Sequence, residues 1–316
     1  MENRTSRKKI LLVSPRGFCA GVDRAIHVVE KALEKFGPPI YVRHEIVHNK
    51  FVVDTLKEKG VLFVDEIDEV PEGSVVIFSA HGVAEHIYAD AEARHLQVLD
   101  ASCPLVLKVH YSAKRHYNAG RHIILIGHAG HAEVVGTLGQ LPEGAITLIR
   151  NEADVETVKV PEGKELAYIT QTTLSVAETR KIIEALKNRF PNIIGPDAGD
   201  LCYATGNRQA AVLELCSQVD MLLVVGAKNS SNSSRLMELG LEQGIKSHLI
   251  DDVNDLDPAW FDGIDTVGLS SGASAPEVLV QGVVEWIKEK FPSVEVQNLV
   301  KLVENTKFNL PKALQD

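Results

Sequence analysis

The chain alternates short apolar runs with longer segments in which apolar residues recur every three or four positions. The run ILLVS (10–14) precedes the amphipathic segment AIHVVEKALEKF (25–36), and the run MLLVV (221–225) precedes another such segment. Short apolar runs bounded by turn residues predict buried strands, and the wider spacing predicts helices. Because strands and helices alternate, the sequence predicts parallel sheets and the α/β class.

Three cysteines lie where an apolar run ends and an amphipathic segment begins. They are Cys19 in PRGFCAGVDRA, Cys103 in ASCPLVLKVH and Cys202 in GDLCYATGNRQ. At such a turn, backbone N–H groups and the positive end of the helix dipole favour thiolate over thiol. The shared position indicates a shared role.

Polar residues recur at similar distances from these cysteines. One follows the next predicted strand 28 to 30 residues after each cysteine, and another follows the third strand 62 to 72 residues after it. The first set comprises His48, His131 and Asn232, and the second comprises His81, Thr172 and Ser274. This repeat predicts three similar units, 1–98, 99–195 and 196–316, the last ending in one helix and a polar tail.

Two helix starts are predicted from a serine that precedes a glutamate by three residues. Ser175 with Glu178 and Ser274 with Glu277 both fit a capping box. In open parallel sheets, binding residues gather at the carboxyl ends of strands. If the units pack in a pseudo-threefold arrangement with those ends inward, the three cysteines converge on a central cavity.

The composition limits which binding partners and which cellular compartment are expected. The 316 residues carry a formal net charge of −10, which argues against nucleic acid as a partner. No apolar run approaches the ~18 residues of a membrane span, and the start, MENRTSRKK, is expected to be a basic tail rather than a signal peptide. Four scattered cysteines without a CxxC pair are typical of a cytoplasmic protein, and Cys216, on an apolar stripe, is expected to be a core residue.

Three converging thiolates would bind a metal, whose identity the residues alone leave open. Zinc with three protein ligands and an open position is typical of catalytic sites. A [4Fe–4S] cluster normally takes four cysteines, so a cluster held by three has one iron without a protein ligand. Three unrelated buried cysteines are the remaining alternative, and the repeat-matched positions disfavour it.

Small polar residues, KNSSNSS (228–234), open the segment after MLLVV. Hydroxyl and amide groups with free N–H groups at a helix start predict an anion site. His48 and His81, at matched turns, add imidazole donors. Burial and a nearby anion would raise the pKa of Glu133, which could then hold a proton for a reductive step.

Ordered motifs run from about Ile10 to Glu277. They are PRGFCAGVDRA, EIVHNKFVVD, SAHGV, ASCPLVLKVH, LIGHAGHAEV, TQTTLS, KNSSNS and GASAPE. Together they resemble the 4-hydroxy-3-methylbut-2-enyl diphosphate reductase family. The resemblance implies reductive dehydroxylation of (E)-4-hydroxy-3-methylbut-2-enyl diphosphate to isopentenyl and dimethylallyl diphosphates, the last step of the non-mevalonate isoprenoid pathway.

The resemblance also implies a site. A [4Fe–4S] cluster in the central cavity would bind the substrate hydroxyl through its unique iron, and its ligands would be Cys19, Cys103 and Cys202. The substrate-binding residues would be His48, His81, His131, Thr172, Ser230, Ser231, Asn232 and Ser274. The catalytic residues would be Glu133, Thr172 and His131, with Glu133 relaying protons through Thr172 and the diphosphate.

Electrons are expected to come from outside the chain. Four cysteines are too few for a second cluster, and no glycine-rich dinucleotide motif follows a strand. The resemblance implies a small one-electron carrier of the ferredoxin or flavodoxin type.

Two other hypotheses stay open. A Cys₃ zinc hydrolase or lyase acting on a phosphorylated substrate would be colourless and redox-silent. A non-catalytic module that binds a cluster or a diphosphate, such as a redox sensor, would not need Glu133.

Overall fold

The computed structural model describes residues 8–196 and 200–315, so most of the predicted basic start lies outside it. The strands are β1 (Lys9–Ser14), β2 (Ile40–Arg43), β3 (Val61–Val64), β4 (Val75–Phe78), β5 (Gln97–Asp100), β6 (His122–Ile126), β7 (Ile146–Ile149), β8 (Leu166–Thr170), β9 (Met221–Val225), β10 (Lys246–Ile250), β11 (Thr266–Ser271) and β12 (Glu295–Val300). The α-helices are α1 (Ala20–Phe36), α2 (Lys50–Glu58), α3 (Glu85–Ala93), α4 (Pro104–Asn118), α5 (Ala132–Leu138), α6 (Glu152–Thr157), α7 (Val176–Arg189), α8 (Tyr203–Cys216), α9 (Ser231–Glu242) and α10 (Glu277–Lys290).

These strands form three sheets in which neighbouring strands are parallel. The five-stranded sheet has the order β10-β9-β11-β1-β12, the four-stranded sheet β3-β2-β4-β5, and the three-stranded sheet β7-β6-β8. The α/β class, predicted from the alternation of strands and helices, and the three small parallel sheets, predicted from the repeat, are therefore confirmed.

Each cysteine of interest marks a point where the chain passes from one sheet to another. β1, before Cys19, pairs with β11 and β12. β5, before Cys103, pairs with β4, and Ile194, before Cys202, forms a bridge to Ala167 of β8. The helices that follow contact the next sheet: α1 contacts β2, α4 contacts β6 and β8, and α8 contacts β1 and β11. A local apolar pattern predicts a strand without specifying its sheet, so the predicted unit boundaries stay predictions.

The described residues form two compact units. The five-stranded unit comprises the residues up to Cys19, His48–Val52 and Tyr203–Thr306, and it contains the five-stranded sheet. The two-sheet unit comprises Ala20–Val47, Val53–Cys202 and the residues from Lys307 onward, and it contains the other two sheets.

Both faces of the five-stranded sheet are buried. Ile10 and Leu12 of β1 join an apolar cluster with residues of α10, whereas Leu11 and Val13 join a second cluster with residues of α8 and α9. Parallel strands that are buried on both faces have continuous apolar sequences. This explains why the runs ILLV and MLLVV show no polar alternation.

In the two-sheet unit, one face of α4 packs on the three-stranded sheet. Val109 and Ala113 of α4 share an apolar cluster with Ile123 and Leu125 of β6 and Ile169 of β8. This contact fixes the helix that starts directly after Cys103.

Two local predictions have different outcomes. Ser175 is the N-cap of α7 and accepts a hydrogen bond from the N–H of Glu178 (3.2 Å), as predicted. The second capping box is wrong, because the N-cap of α10 is Pro276 and the hydroxyl of Ser274 donates to the carbonyl of His48 instead.

The region expected to be a polar tail contains β12 at one edge of the five-stranded sheet. In its sequence, EVQNLV, three of the six residues are apolar, and none of these three is fully buried. Its pairing with β1 therefore depends on backbone hydrogen bonds more than on side-chain burial.

Candidate active site

In the five-stranded unit, the turn that carries Cys19 is tied to the loop after β11. The N–H of Cys19 donates to the carbonyl of Ala273 (3.1 Å), and the N–H of Gly17 donates to Ser271 Oγ (2.8 Å). Gly17 has a φ of +73°, a left-handed conformation that glycine adopts without a steric penalty. The sequence RGFC thus places Cys19 beside the loop that carries Ser274.

Two glycines let α9 begin at the ends of β9 and β11. A Cβ atom on Gly226 or Gly272 would lie 2.3 Å or 2.0 Å, respectively, from Ser233 Oγ. Ser230 is the N-cap, and its Oγ accepts hydrogen bonds from the N–H of Ser233 (3.3 Å) and from the Ser233 hydroxyl (3.0 Å). The polar run KNSSNSS therefore forms a helix start at the carboxyl edge of the sheet.

Asn232, in the first turn of α9, is the most informative polar residue of this unit. Asn232 is only 5% exposed, and neither its Oδ1 nor its Nδ2 has a hydrogen-bond partner. Leaving a buried polar group unpaired costs on the order of 1–3 kcal/mol. Such a group calls for an explanation, and a ligand that accepts from Nδ2 would supply one.

His48 joins this group through its backbone and its ring. Ser274 Oγ donates to the His48 carbonyl (3.0 Å), and Asn229 Nδ2 lies 3.4 Å from His48 Nδ1. Five residues of the predicted anion site are thus in the five-stranded unit: His48, Ser230, Ser231, Asn232 and Ser274. Hydroxyl, amide and imidazole groups at a helix start provide donors for an anion.

In the two-sheet unit, a buried carboxyl group is held by a threonine. Glu133 is 2% exposed, its Oε1 accepts from the N–H of Thr172 (2.7 Å), and its Oε2 accepts from the Thr172 hydroxyl (2.9 Å). Burial raises the pKa of Glu133 to about 7, while the two hydrogen bonds from Thr172 act in the opposite direction. The group can therefore exchange a proton near neutral pH.

His131 is the N-cap of α5 and lies next to His81. Its Nδ1 accepts a hydrogen bond from the N–H of Glu133 (3.2 Å), so the neutral ring carries its proton on Nε2. The His81 and His131 rings are nearly perpendicular, with centroids 6.0 Å apart, and Ser79 Oγ lies 3.2 Å from His81 Nδ1. Both imidazoles are thus held in fixed orientations.

Two of the three cysteines are hydrogen-bonded into the same unit. The N–H of Cys103 donates to the carbonyl of Ala80 (2.9 Å), next to His81, and the N–H of Cys202 donates to the carbonyl of Thr172 (3.0 Å). Cys19, Cys103 and Cys202 are all half-exposed thiols outside any disulfide. Cys216 differs, because it is buried in an apolar cluster and burial raises its pKa to about 11.

The structure thus brings the predicted residues together in two sets. Within residues 8–196 and 200–315, no group of three or more His, Cys, Asp or Glu side chains is arranged to hold a metal ion. Cys19 belongs to one compact unit, and Cys103 and Cys202 belong to the other. Their convergence on a single cluster therefore stays a prediction.

A second buried carboxyl group, which the sequence did not predict, interacts with Glu133. Asp200 is buried, and its Oδ2 accepts from the N–H of Thr170 (3.3 Å) while Oδ1 has no partner. Burial raises the pKa of Asp200, and its charge adds to the rise in the pKa of Glu133. Its position two residues before Cys202 was the available sequence signal.

Comparison with known proteins gives matches over nearly the full length of the chain. A family model described as LytB protein matches residues 10–288. A Zymomonas mobilis protein named 4-hydroxy-3-methylbut-2-enyl diphosphate reductase is 55% identical over 307 residues, covering 97% of this chain and 90% of its own. A Rhodopseudomonas palustris protein named 4-hydroxy-3-methylbut-2-enyl diphosphate reductase 1 is 57% identical over 305 residues, covering 96% and 99%.

Solved structures agree with this result. The E-1-hydroxy-2-methyl-but-2-enyl-4-diphosphate reductase from Plasmodium falciparum superposes with a TM-score of 0.94 at 39% identity, covering 98% of this chain and 97% of its own. A second structure, of a (E)-4-hydroxy-3-methyl-but-2-enyl diphosphate reductase, gives a TM-score of 0.64 at 30% identity, covering 89% of this chain and 99% of its own.

None of the helices in the described residues has the length and apolar character needed to cross a membrane.

Proposed function

The chain belongs to the LytB family, and we propose that it reduces (E)-4-hydroxy-3-methylbut-2-enyl diphosphate to isopentenyl and dimethylallyl diphosphates, the last step of the non-mevalonate isoprenoid pathway. The relatives named above carry the corresponding reductase name. The reaction consumes one substrate alcohol, two electrons and two protons, and it releases one product diphosphate and one water. It requires an anion site, a proton donor and an electron source.

The Glu133–Thr172 pair is the observation that carries the proposal. A carboxyl group with a pKa of about 7 holds a proton in much of the population at neutral pH. In its protonated form, Glu133 donates to Thr172 Oγ1, which frees the threonine hydroxyl to donate onward to the substrate. General acid groups work best when their pKa lies near the working pH.

The diphosphate is assigned to the donors of the predicted anion site. In the five-stranded unit, the unpaired amide of Asn232 donates to a phosphate oxygen, with hydroxyl donors from Ser230 and Ser231. The Ser274 hydroxyl joins them by exchanging its hydrogen bond to the His48 carbonyl for one to a phosphate oxygen. His48 and His81 add imidazole N–H groups. The N–H on Nε2 of His131 donates to the substrate beside Thr172.

The three half-exposed thiols fit an iron–sulfur cofactor in type, number and accessibility. Cys19, Cys103 and Cys202 would hold a [4Fe–4S] cluster, since thiolates are its usual ligands. When bound, the cluster supplies electrons and, at its iron without a protein ligand, Lewis acidity toward the substrate hydroxyl. Thiols outside any disulfide also fit a reducing compartment, in keeping with the cytoplasmic location predicted from the sequence.

The electrons are assigned to an external one-electron carrier, because the four cysteines leave no set for a second cluster. Each turnover then requires two successive one-electron deliveries. The carrier is oxidised by one electron at each delivery.

The test uses protein that is purified without oxygen. Iron and acid-labile sulfide are measured first, and turnover is then followed with reduced methyl viologen and the diphosphate alcohol, with both products separated by chromatography. About four irons per chain and formation of the two diphosphates support the proposal. A colourless protein with one zinc and no product formation rejects it in favour of the zinc hydrolase or lyase.

A further inference from the structure

In the two-sheet unit, the loop that carries His81 packs against the helix that carries Glu133. The loop, 79–84, connects β4 to α3, and Glu133 lies in the first turn of α5. Where the loop ends, the N–H of Glu85 donates to the carbonyl of Gly139, the C-cap of α5 (2.9 Å). The short helix α5 therefore has His131 and Glu133 at its start and the loop of His81 at its end.

Two glycines allow this close approach between the loop and α5. A Cβ atom on Gly136 would lie 3.1 Å from the carbonyl oxygen of Gly82, and one on Gly139 would lie 2.2 Å from Ala84 Cβ. Glycine inside a helix is less favourable than alanine, because it loses more conformational freedom on folding. Gly136 thus weakens α5 locally but leaves room for the loop.

Gln140 joins the loop to the helix through one amide group. The residue is only 7% exposed, and its Nε2 donates to the carbonyl of Val83 (2.6 Å) and to the carbonyl of Gly136 (3.0 Å). A side-chain amide nitrogen carries two hydrogens, so both bonds can form at the same time. Since Val83 lies two residues after His81, and Gly136 three residues after Glu133, the amide links the backbone segments of both groups.

The other side of the loop packs on α4. The N–H of Cys103 donates to the carbonyl of Ala80 (2.9 Å). A Cβ atom on Gly82 would lie 2.7 Å from His110 Cε1, and Gly82 has a φ of +78°, which favours glycine. The backbone on both sides of His81 is therefore held by a helix, by α4 on one side of the loop and by α5 on the other.

We propose that Gln140 is a positioning residue, whose amide holds the loop of His81 on α5 and so sets the distance from the His81 imidazole to the Glu133–Thr172 pair. The proposal rests on the proposed reductase function, in which His81 binds the diphosphate and Glu133 supplies a proton. The separation of these two groups must then match the separation of the diphosphate from the reacting carbon. Because the amide of Gln140 donates to two backbone carbonyls, it acts on the substrate through His81.

The test is a double-mutant cycle with His81, assayed with reduced methyl viologen. Gln140→Met keeps the side-chain length and removes the donors. It is expected to raise KM for the diphosphate alcohol about tenfold and to change kcat less than about threefold, because a hydrogen bond to the diphosphate is made in the ground state and in the transition state alike. In the His81→Ala background, the same substitution is expected to change KM by less than about twofold, because residues that act through one another are not additive.

Binding of inorganic pyrophosphate to the same proteins, measured by titration calorimetry, gives a readout that does not depend on turnover. It is expected to weaken about tenfold in Gln140→Met and to show the same loss of effect in the His81→Ala background. Gln218→Met is the matched control. Gln218 Nε2 also donates to the carbonyl four residues earlier, that of Glu214 (3.3 Å), but Gln218 is exposed. Its KM and pyrophosphate affinity are expected to stay within about twofold of the wild type.

A second variant displaces the loop without removing a hydrogen-bond donor. Gly136→Ala favours the helix, so the protein is expected to fold, but the new Cβ atom lies 3.1 Å from the Gly82 carbonyl oxygen and pushes the loop away. KM is expected to rise about threefold, again only while His81 is present. The control is Gly282→Ala in α10, where the Cβ atom would meet Val253 Cγ1 at an ordinary 3.5 Å.

Two results overturn the positioning proposal. One is that Gln140→Met and Gly136→Ala both keep the wild-type KM and pyrophosphate affinity. The other is that the effect of Gln140→Met persists in full in the His81→Ala background, which would assign the amide to the fold alone. Failure of the proposed function looks different, because the wild type then forms no product with reduced methyl viologen, while the pyrophosphate cycle still shows whether Gln140 acts through His81.

Discussion

Arg208 and Glu304 form an ion pair whose cationic side chain is completely buried. Nη1 of Arg208 lies 3.3 Å and 3.2 Å from the two carboxylate oxygens of Glu304, and Nη2 donates to the carbonyl of Gly17 (2.7 Å). Asn207 Nδ2 also donates to Glu304 Oε1 (3.0 Å). The segment after β12 thus reaches the start of α8 and the turn that carries Cys19.

Glu304→Ala is expected to lower the free energy of unfolding by about 3–5 kcal/mol. The change leaves the buried guanidinium of Arg208 without its counter-charge, which costs more than the loss of an exposed pair. Denaturant unfolding of the protein measures the effect. Glu289→Ala, at an exposed position of α10, is the control and is expected to change the value by less than about 0.5 kcal/mol. An equally small effect of Glu304→Ala would show that the pair does not support the fold.

The contrast between Ser175 and Glu304 shows what the sequence could predict. The cap at Ser175, the apolar strands and the turn positions of the cysteines depend on local patterns, and the structure has them where the sequence predicts them. By contrast, the pairing of β1 with β11, which places β1 in the same sheet as β9, joins segments that are far apart in the sequence. Local periodicity carries no information about it.

In the candidate site too, some residues could be predicted from local sequence patterns and others could not. Matched offsets from the cysteines predicted His48, Thr172 and Ser274, and the structure places these residues in polar clusters at strand ends. Asp200 and Arg208 were missed because their roles depend on burial, which the residue type does not specify. A charged residue in an unremarkable loop or helix has no periodic signal that distinguishes it from a solvated one.

Glu133→Gln is expected to keep substrate binding and to lower kcat by about 10²–10⁴-fold, because the amide retains the shape of the carboxyl group but supplies no acidic proton. Turnover with reduced methyl viologen, followed by product analysis, measures kcat and KM separately. Thr172→Val, which keeps the side-chain shape and removes the hydroxyl, is expected to show the same separation. Near-normal kcat in Glu133→Gln would remove the carboxyl group from the proton path.

The stability of the protein is expected to depend on pH through Glu133. Burial raises its pKa from 4.5 to about 7, so between these values the folded chain holds a proton that the unfolded chain has released. Stability from this group is therefore present below about pH 4.5 and is lost as the pH rises to 7, by up to ~3 kcal/mol. Denaturant unfolding from pH 5 to 8 should show the wild type losing stability relative to Glu133→Gln. The exposed Glu143→Gln serves as the control, and parallel curves for all three proteins would contradict the assignment.

Asn232→Ala is expected to leave the ligand-free protein as stable as the wild type or slightly more stable, because it removes two buried polar atoms that have no partners. Binding of inorganic pyrophosphate should weaken about tenfold or more. Thermal unfolding with and without pyrophosphate measures both effects, since a ligand that binds only the folded state raises the midpoint.

Asn151→Ala gives the opposite pattern and serves as the control. Its Oδ1 caps α6 by accepting from the N–H of Asp154 (3.0 Å), so its loss is expected to cost about 0.5–2 kcal/mol of stability. Pyrophosphate should still raise the midpoint as it does in the wild type. An Asn232→Ala protein that is destabilised and still responds to pyrophosphate would assign Asn232 to packing rather than to the anion.

Serine variants of the four cysteines distinguish the proposed cluster ligands from the cysteine that packs in the core. Cys19→Ser, Cys103→Ser and Cys202→Ser are each expected to lose the intact cluster, whereas Cys216→Ser is expected to keep the full iron content. Cys216 lies in an apolar cluster with Leu215 and Val219, so its serine variant places an unmatched hydroxyl there and should lose about 1–3 kcal/mol of stability. Iron and sulfide assays with denaturant unfolding distinguish the two patterns. Full iron in Cys103→Ser would exclude the three-cysteine ligand set, and loss of iron in Cys216→Ser without unfolding would place a fourth thiol at the cluster.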